Sequence, residues 1–495
     1  MNFSREISVP DRILDVIIGD KSYPVELWQC RDLPALFLQG KNNMLEAVHQ
    51  DKKKKATTQV AILDENGDTL LQEIATISGR GNGTWVNAGV FQDKRPYNLR
   101  FSNPISFGPF EDLDTLCLFA EYSDESKLRN SLAYFAGQTL GIDYASPYKY
   151  INVYVNGEYL GLYGITTKKE YTKDINQIQS VFECTGNPES ASFYSGFFGQ
   201  GMKVMHGTPE FTETIVNQFE STLHEGNWEA CEALADLDSF AIMYALEEFL
   251  CNIDMSFASQ YYYIDQEDIL HTMLPWDFDY SMGSAITYFD SNQVRSIMAY
   301  RDLMGYSWYP VLLQWDGFRQ RVADTIETYF TDEFLEKLSS HLLQDMKAIE
   351  RSRICDMHRW EGAKPFTASP ISSGMEMLPE FYDFFTSFFL KRRDFLLEYF
   401  RNFDDYCCIT LRPTNGVWYH NVCIPKGSRP ADYIDEEAFF RRAYPDDPDG
   451  KILVTEAGIP LSQLESVRED LTLIEAEPQL WSIDSTKIRE TPFSY

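Results

Sequence analysis

The sequence predicts an α+β chain with a β-rich first part, a mainly helical middle and a small β-rich appendage. Three observations carry this. Alternating apolar runs broken by Asn-Gly turns occupy the first 170 residues. From Pro209 to Phe400 apolar residues recur mostly at helical spacing. Near Phe403 the composition changes to short strand-like runs between Gly- and Pro-containing turns. A chain of 495 residues exceeds one simple core, so two or three domains are expected. The expected units are an N-terminal extension packing on the first lobe (1–56), a β-rich lobe (57–205), a mainly helical lobe (206–403) and an accessory domain (404–495).

Val60–Leu63 and the run from Leu70 flank Asn66-Gly67, which reads as a hairpin. Ser78 to Trp85 (SGRGNGTW) is a Gly-rich loop around Arg80 whose amides can approach an anion, although an ordinary turn has the same composition. Lys94 stands at the start of a strand running to Phe101, and Leu113–Ala120 reads as a buried strand. Asp124 and Ser126 can cap a helix with Leu128, Leu132, Phe135, Ala136 and Leu140 on its apolar face, ending at Gly141. Ile151–Val155 and Tyr159–Ile165 alternate around Asn156-Gly157, the strongest hairpin signal in the chain. The first part is thus expected to be a twisted sheet with one long helix.

Further on, helices are expected within 209–250 and over 308–330, 332–351 and 375–400. The stripe Phe381, Phe384, Phe385, Phe388 and Phe389 has helical period and reads as core. Lys391, Arg392 and Arg393 read as a solvated face, and the run Lys52–Lys55 as a solvated loop. Strands are expected around 407–411, 418–424 and 452–455, with one short helix at 461–468.

The chemistry concentrates in Leu274 to Gly283, LPWDFDYSMG. Asp277 and Asp279 are two apart, so in an extended segment both carboxylates point to one face. Such a pair repels itself unless a cation lies between its members or one holds a proton. A hard cation such as Mg²⁺ suits this oxygen-rich pattern. A solvated strand end has the same pattern, but the preceding residues add weight. Glu247 to Asp254 (EEFLCNID) closes an apolar helix at another acid, and a hairpin expected over 260–274 then leads into Trp276. Asp254 and Asp277 are 23 residues apart (277 − 254). A helix-end acid beside a strand-end acid matches the division of labour in phosphoryl transfer, where one carboxylate orients the nucleophile and another holds a metal.

A formal charge of −32 disfavours a general nucleic-acid binder, which needs a basic surface, and suits basic protein partners. No apolar run approaches the roughly 20 residues of a membrane helix, and the first residues as given lack a signal-peptide core. The nine cysteines form no C-x-x-C, and adjacent Cys407 and Cys408 are poorly placed for bridging. Mostly free thiols in a reducing compartment are expected. The seven histidines show no zinc spacing.

Six blocks in order resemble the CotH family of atypical protein kinases, which takes its name from a bacterial spore-coat protein. They are Arg80-Gly81-Asn82-Gly83-Thr84-Trp85, Lys94–Phe101, Glu121–Asn130, Val153–Tyr163, Asn252-Ile253-Asp254 and Pro275-Trp276-Asp277-Phe278-Asp279. The likeness spans roughly residues 30 to 400. It implies a bilobal, kinase-like fold that moves the γ-phosphoryl of ATP to Ser or Thr of proteins or of itself, with Mg²⁺ (or Mn²⁺). The implied protein substrate is basic and Ser-rich, in a cytoplasmic or spore-associated setting. By this resemblance Asp254 is the catalytic carboxylate, Asp277 the metal ligand with Asp279 as helper, and Lys94 and Arg80 face the nucleotide phosphates. Two departures stand out. Ser259 and Gln260 occupy the region where the family has an Asn, so the Gln260 amide would reach the metal or phosphate. Thr167 stands where the family often has a Glu that would partner the lysine. A nucleotide-binding scaffold without catalysis is the alternative reading.

Overall fold

The computed structural model describes residues 12–18, 21–27, 33–81, 85, 94–168, 177–256, 258–283, 294–300, 308–360, 378–413, 420–444 and 450–477. Strands β1 (Arg12–Ile18) and β2 (Lys21–Leu27) pair antiparallel. Next come β3 (Ala35–Gln39), helix α1 (Met44–Gln50), β4 (Ala56–Leu63), β5 (Thr69–Gly79), β6 (Tyr97–Phe107) and β7 (Phe110–Phe119). Helix α2 (Arg129–Thr139) and the hairpin β8 (Tyr148–Val155) and β9 (Glu158–Thr167) complete the first part.

The expected twisted sheet closes into a barrel, in the order β3-β4-β5-β6-β7-β9-β8. Closure comes from a parallel pairing of β3 with β8, from Ala35↔Asn152 to Leu38↔Val155. Alternate residues fill the interior: Leu36 and Leu38, Val60 and Ile62, Ala75 and Ile77, Leu99 and Phe101, Leu116 and Leu118, Ile151 and Val153. This is the two-residue period of a strand with one face on a core. The barrel takes in Ala35–Gln39, inside the segment expected to be an extension. Alternation marks a strand's inner face, but it does not say which distant strand completes the ring. The Lys52 side chain, expected in a solvated loop, donates to the Gly81 carbonyl at 2.8 Å and ties that loop to the Gly-rich one.

Strands β10 (Ser180–Cys184), β11 (Phe193–Tyr194) and β12 (Gly201–His206) precede helices α3 (Pro209–Glu225), α4 (Trp228–Leu234) and α5 (Leu237–Phe249). Strands β13 (Gln260–Ile264) and β14 (Leu270–Met273) follow. They form a second sheet, β11-β12-β10-β13-β14, in which β10 pairs with β13. This sheet draws strands from both sides of residue 205, where the division between two lobes was expected. The architecture is therefore mixed α and β, with a closed seven-stranded barrel in its first part.

The expected helix over 308–330 is two pieces, α6 (Tyr309–Leu312) and α7 (Asp316–Tyr329). Helix α8 (Asp332–Arg359) runs past its expected end at 351, and α9 is Leu378–Arg401. Phe381, Phe385, Phe388 and Phe389 are buried, in keeping with a core stripe. Arg392 is not on a solvated face. It is fully buried, and its guanidinium meets the equally buried Glu248 of α5 at 3.0 Å. It also donates to the Glu248 carbonyl (2.9 Å) and to the carbonyls of Val294 (2.9 Å) and Ser296 (2.6 Å). Helical spacing alone does not show which neighbour a charged side chain meets.

The terminal domain contains β15 (Tyr406–Arg412), β16 (His420–Pro425), α10 (Glu436–Ala443), β17 (Ile452–Thr455) and β18 (Leu471–Ala476). Its sheet order is β16-β15-β18-β17. The expected helix at 461–468 is a single 3₁₀ turn, Leu461–Gln463. The turn at 414–416 lies outside the described residues. Cys408 and Cys423 form a disulfide, against the expectation of poor bridging geometry. They face one another across the β15–β16 pairing with Cα atoms 4.2 Å apart. Register selects Cys408 and leaves Cys407 as a buried free thiol.

A buried charge stripped of its partner is strongly destabilising. Arg392→Ala is expected to lower unfolding stability by about 3–5 kcal/mol. Glu248→Leu, which also strands the Met298 and Ala299 amides that the carboxylate accepts, should cost at least as much in denaturant melts.

Candidate active site

The loop from Met273 to Gly283 is placed by its neighbours. Pro275 fits against α2 because residue 137 is glycine; a Cβ there would lie 2.5 Å from the Pro275 ring. Trp276 is buried with Phe119, Tyr134 and Tyr261 at edge or tilted angles. The Phe278 amide donates to Asn130 Oδ1 at 2.8 Å, and Asn130 Nδ2 donates to Glu121 Oε1 at 3.0 Å. Arg129, ion-paired to Asp124, donates to the Ser281 carbonyl (2.9 Å) and the Met282 carbonyl (3.3 Å). Thus the first turn of α2 fixes both sides of the two-aspartate segment. Asp277 itself has φ +67°, a left-handed conformation that is strained for a residue with a Cβ. Glu121 (φ +49°), Lys127 (φ +63°) and Ser259 (φ +56°) share it.

Asp279 is buried and hydrogen-bonded by the Ser123 hydroxyl. Burial first, then the charge of Asp277, hold its carboxyl well above the ordinary range, and Glu121 and Asp254 push the same way. Three other acids therefore bear on the buried Asp279 carboxyl. Asp254 lies in a 3₁₀ turn (Ile253–Ser256) just beyond α5 and is half-buried. Its amide donates to Asn252 Oδ1 at 3.2 Å. Burial raises Glu121 to about 7, opposed chiefly by the Tyr148 hydroxyl that donates to it. Its Oε2 has no hydrogen-bond partner.

The structure gathers most of the residues singled out in the sequence. Arg80 lies over the rings of Phe119 (4.1 Å) and Trp276 (5.3 Å). Arg80 and Asp277 both act electrostatically on the Tyr134 hydroxyl, with opposite sign, so they share its surroundings. Lys94 is deeper and fully buried. Its ammonium donates to Asp356 Oδ1 (2.6 Å) and to the Leu162 carbonyl (2.5 Å) and lies over the Tyr163 ring (4.7 Å). Burial lowers its pKa to about 8, against the raising effect of Asp356. Gln260 opens β13, and its amide donates inward to Glu247 Oε1 at 3.2 Å. Burial raises that carboxyl to about 8, and Asp254 adds to the rise. Asn82, Gly83 and Thr84 of the Gly-rich loop lie outside the described residues.

Thr167 is engaged with the Ser146 hydroxyl at 2.6 Å, and the carboxylate that Lys94 meets is Asp356, at the end of α8. Asp356 also takes the Leu162 amide at 2.9 Å and faces Lys127 at 3.6 Å. No local pattern assigns a role to Asp356, Glu121 or Lys127. Asp356 is 262 positions from Lys94 and carries no local signal. Glu121, Arg129 and Asn130 lay in a block already noted, where the capping pattern before α2 was the available clue.

Barrel, second sheet and helical layer thus define a mixed α/β protein with a buried acidic site at their junction. The family model described as CotH kinase protein matches residues 77–384, and the chain belongs to that family. No curated protein matches it. No described helix is long and apolar enough to cross a membrane.

Residue 161 is glycine because a Cβ there would lie 2.5 Å from Asp356 Oδ1 and 3.1 Å from Lys94 Cε, with φ at +140°. Gly161→Ala is therefore expected to part the pair. Losing the raising effect of Asp356 should move the Lys94 titration below about 8, read by NMR of the lysine side chain. An unmoved titration would show that the pair does not set it.

Proposed function

We propose that this protein is an ATP-dependent protein kinase acting on Ser or Thr hydroxyls, of its own chain or of basic, Ser-rich proteins. One observation carries the reading: Asp254, from the end of a helix, and Asp277, from the end of a hairpin, both bear electrostatically on the buried Asp279. The family membership supports the same class of reaction.

The acids fit a divalent cation shared with phosphate. Asp279 is pushed upward by its neighbours' charges, and Glu121 keeps a buried oxygen without a partner. Among the described residues no three His, Cys, Asp or Glu side chains form a protein-only metal cage. Mg²⁺ uses one or two carboxylates and completes its shell with water and phosphate oxygens, so no such cage is needed. Asp277 and Asp279 would hold the ion, which when bound neutralises charge on the phosphates.

Asp254 then orients the incoming hydroxyl and takes its proton. Arg80, stacked on Trp276, offers positive charge at the face of the site, and Lys94 supplies it from behind. Asn130 and Arg129 keep the Asp277–Met282 backbone from shifting when charge moves. Gln260, turned inward to Glu247, acts as a support for the Asp254 turn rather than as a nucleotide ligand. The inward Gln260 and the buried Lys94 also favour a second reading, a nucleotide-binding scaffold without transfer.

Incubation with Mg²⁺ and labelled ATP, scoring both autophosphorylation and a basic Ser-rich peptide, separates these. Asp254→Ala is expected to cut transfer about 10²–10⁴-fold while retaining nucleotide binding. Asp277→Ala should lose transfer and the metal-dependent part of ATP binding together. Wild-type binding without any transfer would leave the scaffold reading. Because Lys94 becomes neutral above about pH 8, ATP affinity is expected to fall as pH rises through that value. Titration calorimetry from pH 6.5 to 9.5 checks the sign.

A further inference from the structure

The terminal domain lies beyond the family-matched residues, yet it holds a segment of the catalytic part by buried polar contacts. Asn421 on β16 is buried, and its side chain forks onto the backbone of Ile297. Its Oδ1 accepts from the Ile297 amide at 2.7 Å, and its Nδ2 donates to the Ile297 carbonyl at 2.8 Å. The Ser296 hydroxyl donates to the Asn421 carbonyl at 2.5 Å. Arg295 Nε donates to the Cys423 carbonyl at 3.2 Å, and its guanidinium lies 4.9 Å from the ring centres of both Phe395 and Tyr433. Four successive contacts of one strand with one segment amount to strand-like recognition, completed by side chains.

The other side of the same segment meets α5. The amides of Met298 and Ala299 donate to the two Glu248 oxygens at 2.8 and 2.9 Å. Arg392 closes the ring, holding the Glu248 carboxylate and carbonyl together with the carbonyls of Val294 and Ser296. Glu248 is in the last turn of α5. Its carbonyl also takes the Cys251 amide at 3.0 Å, and the Asn252 amide bonds the Glu247 carbonyl at 3.0 Å. Asn252 in turn holds the Asp254 amide. Buried, fully paired polar networks of this kind hold one geometry, because any shift strands a donor or acceptor.

We infer that the terminal domain is a brace for the active site, with Asn421 as a positioning residue that fixes the end of α5, and so Asp254, through residues 294–299 and Glu248. Its effect on turnover rests on the kinase reading; its effect on the α5 end does not. The test uses the full chain and compares wild type with Asn421→Ala and Asn421→Asp. Amide hydrogen exchange is followed at 248–254 and in the barrel strands, alongside kcat and KM for MgATP. The expected result for Asn421→Ala is exchange at 248–254 about tenfold faster with the barrel unchanged, since local opening reports local contacts. Turnover should fall about tenfold with KM within about threefold, the sign of misplaced chemistry rather than lost binding. Asn421→Asp keeps the acceptor for the Ile297 amide and should restore part of both.

Unchanged exchange at 248–254, or equal acceleration in the barrel, would overturn the brace. If wild type transfers no phosphate, the kinase reading fails while the exchange comparison still decides this one. Should Asn421→Ala not fold, Arg295→Gln, which leaves the fork intact and removes the aromatic seat, gives the same comparison.

Discussion

One side-chain amide joins the parts of this site. Asn130 accepts from the Phe278 backbone and donates to Glu121, so the two-aspartate turn, the barrel edge and helix α2 are fixed against each other. That bridge is one of the bonds that hold the segment in which Asp277 adopts its left-handed conformation and other acids bear on Asp279. Carboxylates crowded in a buried volume repel, and burial adds to the cost of charge. Such an arrangement persists only where surrounding hydrogen bonds over-determine it. Here they come from Asn130, from Arg129 on the Ser281 and Met282 carbonyls, and from Ser123 on Asp279.

The positive side of the site is organised on another principle. Lys94 is sealed inside, between Asp356 of α8 and the β9 backbone. The pairing crosses from the barrel to the helical layer, so lysine placement depends on how α8 docks. Arg359 and Trp360 reinforce the docking by donating to the carbonyls of Tyr159 and Leu160 at 3.0 and 3.1 Å. In many kinases an ion pair between a strand lysine and a helix carboxylate must form before phosphate is held correctly. In this chain Lys94 meets a helix carboxylate 262 positions further along the sequence.

Local signals in the sequence were reliable where the relevant physics is local. Asn156-Gly157 specified the β8–β9 hairpin, and alternation at Val60/Ile62 and Ile151/Val153 marked barrel-facing positions. The Phe381–Phe389 stripe marked a core face. Asp254, Asp277 and Asp279 stand out by spacing and by family likeness, and the charges of the first two both bear on Asp279. Signals failed where a partner lay far away. Arg392 reads as surface and Cys408 as a free thiol until Glu248 of α5 and Cys423 are brought beside them.

The sequence by itself determined the two Asn-Gly hairpins and the main helices, because periodicity and turn chemistry act over a few residues. Tertiary structure alone decided that the first sheet closes through β3 and β8, that Asp356 rather than residue 167 meets Lys94, and that the terminal domain grips residues 294–299. Each of these rests on a contact between groups more than a hundred positions apart, and no short-range pattern encodes which of many compatible partners will be chosen.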